Sequence, residues 1–135
     1  MGATIIKMDF PNYKENKINI KNMSFLSSLF GGSALNSDKF EVLDKNAFKA
    51  AIQQKKVQLV DVRTLREYKG GHIGKAINID LFQGGSFKQA IEKLDKSKPV
   101  YLYCRSGSRS KKAAKKILDM GFEKVYDLKG GYMQW

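Results

Sequence analysis

Apolar and polar residues follow two alternating patterns along residues 38–135. Short runs rich in apolar and β-branched residues, of a length that suits buried strands, predict strands at 40–43, 57–62, 76–79, 100–103 and 125–128. Between these runs, apolar residues recur at the spacing of one helix face. Strands that alternate with helices form a largely parallel sheet. We therefore predict an α/β fold, a three-layer sandwich in which a five-stranded, mainly parallel sheet carries helices on both faces.

Capping residues indicate where several helices begin. The first helix is expected over residues 44–55, with the carboxylate of Asp44 as its N-terminal cap. Thr64 with Glu67, and Ser86 with Gln89, have the three-residue spacing of a capping box. Each pair therefore predicts the start of a further helix.

Residues 1–37 lack this periodicity and end in a Gly-Gly-Ser sequence typical of flexible linkers. We expect a flexible N-terminal extension over residues 1–37 and one folded domain over 38–135. An internal Met23 also allows a shorter product that begins there. No apolar run reaches the ~20 residues of a membrane-spanning helix, so no transmembrane segment and a cytoplasmic location are expected. Export is the alternative if residues 14–37 act as a signal.

The chain is strongly basic, with 25 Lys and Arg against 13 Asp and Glu and a formal charge of +12. Such a charge favours anionic partners, although a lysine-rich surface without a dedicated partner is the simpler interpretation. The densest basic cluster has helical spacing and reads as one solvated helix face: Lys111, Lys112, Lys115 and Lys116. No basic stripe interleaved with aromatic residues is present, so we expect no nucleic-acid partner.

The chain contains one cysteine, Cys104, and one histidine, His72. An internal disulfide and a Cys-x-x-Cys redox pair are therefore excluded. These two side chains cannot complete a closed zinc site, which needs four ligands. We expect neither a metal nor an organic cofactor.

The loop after the fourth predicted strand carries the candidate chemistry. Cys104 ends that strand and is followed by small or cationic residues: Arg105, Ser106, Gly107, Ser108, Arg109 and Ser110. A helix N-terminus offers unpaired N–H groups and partial positive charge, and a Gly/Ser-rich loop turns further N–H groups toward one point. We therefore expect Cys104 at the rim of an anion-binding loop that favours its thiolate. The guanidinium groups of Arg105 and Arg109 suit an oxyanion.

A nucleophilic sulfur that faces an anion pocket suits attack on phosphorus, or on the outer sulfur of thiosulfate or a persulfide. The alternative is inert packing, because a cysteine at the end of an apolar strand is often buried. The absence of apolar side chains over residues 105–109 favours the reactive interpretation. No histidine lies near Cys104 in the sequence, which gives a Cys–His protease dyad little support.

A series of short motifs spans residues 38–135 in a fixed order. They are Leu59-Val-Asp61-Val-Arg63, Glu67-Tyr68, Gly71-His72-Ile73, Ala76-Ile-Asn-Ile79, Cys104-Arg-Ser-Gly-Ser-Arg109-Ser110, and Leu128-Lys-Gly130-Gly131 with Trp135. Each motif alone is weak, but together and in this order the segment resembles a single-domain rhodanese, a thiosulfate sulfurtransferase-like module.

The resemblance implies a five-stranded parallel sheet and a cysteine, Cys104, that forms a persulfide. It implies that the backbone amides of residues 105–110 surround the sulfur, so that this loop binds the substrate. Arg105 and Arg109 match positions that face the substrate or brace the loop. Asp61 and Arg63 match a motif that braces the site by charge pairing.

Three functions follow for this sequence. A sulfurtransferase would move a sulfane sulfur from thiosulfate or a persulfide, through Cys104, to cyanide, a thiol or an acceptor protein. A persulfide carrier or interaction domain would use the same cysteine without turnover. A phosphatase of the same fold uses Cys-x5-Arg, whereas Cys104 and Arg109 here have Cys-x4-Arg spacing, and the shorter loop fits sulfur better than phosphate.

Overall fold

Five parallel strands form a single sheet in the computed structural model, which describes residues 38–135. The strands are β1 (Phe40–Leu43), β2 (Gln58–Asp61), β3 (Ile77–Asn78), β4 (Val100–Tyr103) and β5 (Val125–Leu128). Their order in the sheet is β1-β5-β4-β2-β3, and every neighbouring pair is parallel. The predicted α/β fold is confirmed. The predicted extension over residues 1–37 lies outside the described residues.

Helices cover both faces of this sheet. They are α1 (Lys45–Ala51), α2 (Leu65–Lys69), α3 (Gly85–Glu92) and α4 (Ser108–Asp119), with 3-10 turns at Leu81–Gln83 and Tyr132–Gln134. Within residues 38–135, no helix is both long enough and apolar enough to span a bilayer.

Successive strand residues point to opposite faces of the sheet and so divide the core in two. Val60 packs in one cluster with Ile91 of α3 and Ala113 of α4. Its neighbour Leu59 packs in the other cluster with Phe48 of α1. The two helices α3 and α4 therefore cover the opposite face of the sheet from α1.

Local signals placed most helix starts correctly. The Thr64 hydroxyl accepts from the Glu67 amide at 3.2 Å, and the Glu67 carboxylate accepts from the Thr64 amide at 3.1 Å, which confirms that capping box. The predicted box at Ser86 is wrong, because α3 begins at Gly85 and Ser86 lies inside its first turn. The chain enters this helix from Gly84, whose φ of 51° is open to glycine at little cost.

Three elements are shorter than their patterns predict. The first helix ends at Ala51 rather than at residue 55, and the chain then turns through Lys56, whose φ is 60°. The second strand loses one residue at each end and covers Gln58–Asp61. The third strand keeps two paired residues, Ile77 and Asn78, which pair with β2 alone.

The carboxyl ends of β2, β4 and β5 lie side by side in the middle of the sheet. Asp61 ends β2, Cys104 follows β4, and the Gly130-Gly131 pair follows β5 shortly after its last residue. In open parallel sheets, ligands bind beyond this edge. The sheet order therefore places the three motifs next to one another.

Candidate active site

Cys104 lies beneath the loop that follows β4, where it is only 1% exposed. Its side chain belongs to the core cluster on the α3 and α4 side of the sheet. The sulfur itself has polar neighbours: the Gly107 N–H donates to Sγ at 2.9 Å, and Sγ lies 3.4 Å from the Ser110 hydroxyl. The sequence placed Cys104 at the rim of the loop. The structure places it deeper, because β4 carries it into the core before the chain turns.

Gly107 directs its amide at the sulfur through an unusual backbone conformation. Its φ of 110° lies in the left-handed region, and it is the N-cap residue of α4. The positive end of α4 therefore starts next to Sγ. The Ser110 hydroxyl donates to the Gly107 carbonyl at 3.1 Å, which holds the turn closed.

The remaining residues of the predicted loop divide by exposure. The side chains of Arg105, Ser106 and Ser108 face solvent. Arg109 is half-buried and makes two hydrogen bonds to the Glu67 carboxylate, Nη1 to Oε1 at 2.7 Å and Nη2 to Oε2 at 3.0 Å. This pairing, chiefly the hydrogen bond from Arg109, lowers the pKa of Glu67 to about 2. Arg105 is thus the exposed cation of the loop, and Arg109 is a brace between α4 and α2.

Asp61 and Arg63 form a buried ion pair beside this loop. The Arg63 Nη2 lies 2.6 Å from the Asp61 Oδ2, and the Arg63 Nε lies 2.9 Å from Oδ1. Nη2 also donates to the Gly71 carbonyl at 2.7 Å, and the guanidinium lies 4.3 Å from the centre of the Tyr132 ring. The pair therefore connects the end of β2 to the turn after α2 and to the C-terminal segment.

The segment after β5 forms hydrogen bonds with the backbone of the Cys104 loop. The Tyr132 amide donates to the Cys104 carbonyl at 2.8 Å, and the Met133 amide donates to the Arg105 carbonyl at 3.0 Å. In a trans peptide the N–H points opposite to the preceding carbonyl. These bonds therefore turn the amides of Arg105 and Ser106 away from the C-terminal segment. A Cβ on Gly131 would lie 2.5 Å from the Arg105 oxygen, which leaves room for glycine alone.

A family model for the rhodanese-like domain matches residues 44–135. The chain belongs to the rhodanese-like domain family.

Relatives of this rhodanese domain include both an uncharacterized protein and sulfurtransferases. The chain is 41% identical over 95 residues to the uncharacterized protein YqhL of Bacillus subtilis, an alignment that covers 70% of this chain and 71% of YqhL. It is 33% identical over 98 residues to the thiosulfate sulfurtransferase GlpE of Vibrio cholerae, covering 73% and 90% of the two chains. Among solved structures, a rhodanese-like domain protein from Staphylococcus aureus is 26% identical with a TM-score of 0.60, covering 70% and 90%. The rhodanese domain is therefore related to sulfurtransferases.

Sequence reasoning did not identify several residues that surround the site of this rhodanese domain. Glu67 was interpreted as a capping residue only, although it also holds Arg109. The Gly130-Gly131 motif had no predicted role. The hydrogen bond from the Tyr132 amide to the Cys104 carbonyl is visible only in the structure. Two glycines one residue beyond a strand were the available signal, since a close backbone approach requires glycine.

Asp127, also missed, is a fully buried carboxylate on β5 below the first turn of α4. Neither of its oxygens has a hydrogen-bond partner among the described residues, and the Lys111 Nζ lies 3.7 Å from Oδ2. Burial raises the pKa of Asp127 to about 6, against the opposing influence of Ser110 and Lys111. This rhodanese domain thus carries a poorly compensated charge close to its cysteine loop.

His72 contributes to the local fold of the turn after α2. Its Nδ1 lies 3.0 Å from the Tyr68 carbonyl, and its ring stacks on the Tyr68 ring at 3.8 Å. His72 is therefore a hydrogen-bonded residue of this turn. Within residues 38–135, no three His, Cys, Asp or Glu side chains are grouped to hold a metal ion.

Proposed function

We propose that this rhodanese domain is a sulfurtransferase that carries sulfane sulfur on Cys104. The Sγ thiolate attacks the outer sulfur of thiosulfate, the bond between the two thiosulfate sulfurs breaks, and sulfite leaves with the electron pair. A persulfide donor would react in the same way and release its thiolate. The terminal sulfur of the Cys104 persulfide then passes to cyanide, which becomes thiocyanate, or to a thiolate, which becomes a persulfide. Either transfer restores the Cys104 thiolate without a cofactor.

One contact carries this proposal: the hydrogen bond from the Gly107 amide to the Cys104 sulfur at 2.9 Å. An N–H group aimed at sulfur stabilises negative charge there, and the N-terminal end of α4 adds partial positive charge at the same place. Before the reaction the thiolate carries that charge on Sγ, and after it the persulfide carries the charge on the terminal sulfur bonded to Sγ. A cysteine that only filled core space would gain nothing from a donor directed at its sulfur.

The other residues of the loop have separate roles in this proposal. Arg105, exposed at the start of the loop, attracts the thiosulfate anion. Ser106 and Ser108 offer amide and hydroxyl donors to the sulfonate oxygens, and Ser110 holds the turn closed through its bond to the Gly107 carbonyl. Arg109, held by Glu67, keeps α4 in register with α2. The Asp61–Arg63 pair fixes the neighbouring strand end.

The phosphatase alternative is less well supported. A phosphatase arginine must be free to bind phosphate oxygens with both arms of its guanidinium. Here both arms of Arg109 already bind the Glu67 carboxylate, at 2.7 and 3.0 Å. A persulfide carrier needs the same cysteine, so catalytic turnover with a small acceptor distinguishes it from an enzyme. A thiol that must stay reduced suits the cytoplasm, which is the location we propose.

The test is to incubate the reduced protein with thiosulfate, desalt it and record the intact mass beside a Cys104→Ser control. We expect the native chain alone to gain one sulfur atom and to lose it when cyanide is added. Repeated formation of thiocyanate with excess thiosulfate would identify an enzyme, whereas a single turnover would identify a carrier. An unchanged mass with thiosulfate and with a small persulfide donor, in a folded protein with a free thiol, would contradict the proposal.

A further inference from the structure

Large apolar side chains are exposed close to the Cys104 loop. Within residues 38–135 the large apolar residues that stand out in solvent are Leu65 at 52%, Ile77 at 47%, Phe82 at 66% and Met133 at 58% exposure. Ile77 lies on the edge strand β3. We call the other three, Leu65, Phe82 and Met133, the apolar rim.

Two members of the apolar rim contact the loop, and the third begins a helix that contacts it. The Phe82 ring lies 5.7 Å from the Arg109 guanidinium. The Met133 amide donates to the Arg105 carbonyl at 3.0 Å. Leu65 begins α2, the helix whose Glu67 holds Arg109. The three side chains of the apolar rim therefore come from three different segments that border the cysteine loop.

A shallow groove of about 420 Å³ continues from the apolar rim toward α3. Half of its lining is apolar (Leu65, Ile79, Phe87 and Ala90) and half is polar (Asn78, Asp80, Gln83 and Ser86). A groove of this composition accepts an apolar side chain of a bound segment. The apolar surface near the loop is thus more than single scattered residues.

The charge beside the apolar rim is positive on balance, although one carboxylate, Asp80, lines the groove and accepts from the Phe82 amide at 2.9 Å. Arg66, next to Leu65, and Arg105, in the loop, are exposed, and neither forms an ion pair among the described residues. Glu67 and Asp61, the carboxylates closest to the loop in the contacts above, are already paired with Arg109 and Arg63. A partner with acidic residues would complement this surface.

We infer that the apolar rim, with Arg66 and Arg105, docks a protein segment that presents a thiol between apolar and acidic residues. This inference rests on the proposed function, for which it names the class of acceptor. Thiosulfate and cyanide are too small to use three separated apolar side chains, whereas a polypeptide covers them on binding. Transfer of sulfur also requires a thiol at the docked position, which a lipid surface does not supply.

The experiment uses short peptides that each contain one cysteine. One peptide flanks it with Leu and Glu, a second replaces Glu by Lys, and a third replaces Leu by Ser. The rate of sulfur transfer from the loaded protein to each peptide is measured at low and high salt. We expect the Leu and Glu peptide to react about tenfold faster than either of the others, a difference of about 1.4 kcal/mol. High salt should reduce its advantage over the Lys peptide.

The matched variants are Leu65→Ala with Phe82→Ala, and Ile77→Ala as the control for an exposed apolar residue away from the loop. We expect the double variant to lose about tenfold in transfer to the Leu and Glu peptide, with discharge to cyanide unchanged. Ile77→Ala should behave as the parent chain. Equal rates for all peptides, or equal losses in the double variant and the control, would overturn the inference.

Binding is measured separately with the Leu and Glu peptide in which serine replaces cysteine. Its fluorescence anisotropy on the unloaded protein reports docking without any sulfur chemistry. Binding that the double variant weakens, in a protein that forms no persulfide, would contradict the proposed function and leave docking established. Persulfide formation without such binding, or stronger binding to anionic lipid vesicles than to the peptide, would overturn docking alone.

Discussion

The Arg109 guanidinium and the Glu67 carboxylate, 42 residues apart in the chain, form a bidentate ion pair with two hydrogen bonds of 2.7 and 3.0 Å. Glu67 also closes the capping box of α2, so one carboxylate satisfies a helix start and holds a second helix. Arg109 lies in the first turn of α4, two residues after the amide that binds the cysteine sulfur. The geometry around Cys104 therefore depends on a side chain from another part of the fold.

Glu67→Gln is expected to lower the free energy of unfolding by about 1–3 kcal/mol at neutral pH, because it removes a half-buried ion pair. The pKa of Glu67 is lowered to about 2 in the folded protein, so the ionised pair stabilises the fold above about pH 4.5. That contribution is lost as the pH falls toward 2. Denaturant unfolding of both proteins at several pH values measures the difference.

The matched control for that prediction is Glu92→Gln, whose partner Lys96 lies 3.1 Å away in an exposed i,i+4 pair. Exposed pairs of this kind contribute about 0.3–0.5 kcal/mol. Equal effects of the two substitutions, or a Glu67→Gln effect that does not shrink in acid, would contradict the role assigned to Glu67.

Gly107→Ala is expected to slow persulfide formation by about tenfold or more, since an oriented donor of this kind is worth roughly 10²–10³ in rate elsewhere. The φ of 110° is strained for alanine, so the backbone should shift and carry the amide away from the Cys104 sulfur. Gly74→Ala is the control, because Gly74 also has a positive φ, 44°, with no atom within 4 Å of the added Cβ. Both variants should lose similar stability, but Gly107→Ala alone should lose activity.

Gly131→Ala is expected to destabilise the fold by more than about 2 kcal/mol, because overpacking against fixed backbone cannot relax cheaply. The added Cβ would lie 2.5 Å from the Arg105 oxygen and 2.7 Å from the Cys104 oxygen. Gly85→Ala in α3, where nothing lies within 4 Å, should be neutral or slightly stabilising. Thermal unfolding of the two variants provides the comparison, and equal melting temperatures would refute the close approach.

Asp127→Asn is expected to stabilise the fold at neutral pH by about 1–3 kcal/mol, because it removes a buried charge without a hydrogen-bond partner. The pKa of Asp127 is raised to about 6, so the folded chain holds its proton more tightly than the unfolded chain. The parent chain should therefore lose stability relative to the variant as the pH rises from about 4 to 6. A difference that stays constant over this range would show that ionisation of Asp127 is not its cause.

The sequence alone predicted the elements whose signals act over a few residues. Val100–Tyr103 and Val125–Leu128 are strands at their predicted bounds, because short runs rich in valine, leucine and tyrosine suit a buried parallel strand. The box at Thr64 formed as predicted, but the one at Ser86 did not. Capping spacing is a local pattern. At this position the helix begins before Ser86, because the chain already enters it from Gly84, which has a positive φ.

The sequence also predicted which loop carries the proposed chemistry. A lone cysteine at a strand end, followed by small and cationic residues and a helix, indicated an anion-binding turn around Cys104 before any contact was visible. The conformation of Gly107 belongs to the same short segment and depends mainly on the absence of a side chain.

Only the tertiary structure decided which residues surround that loop. The strand order β5-β4-β2 brings together three sets of groups. It pairs Arg109 with Glu67, places the Tyr132 amide on the Cys104 carbonyl and buries Asp127. Hydrophobic patterning tells that a strand is buried, but it does not tell which strand lies beside it, since many neighbours bury the same apolar area. The contacts between strand ends form only once the sheet has assembled, and they come from segments far apart in the chain.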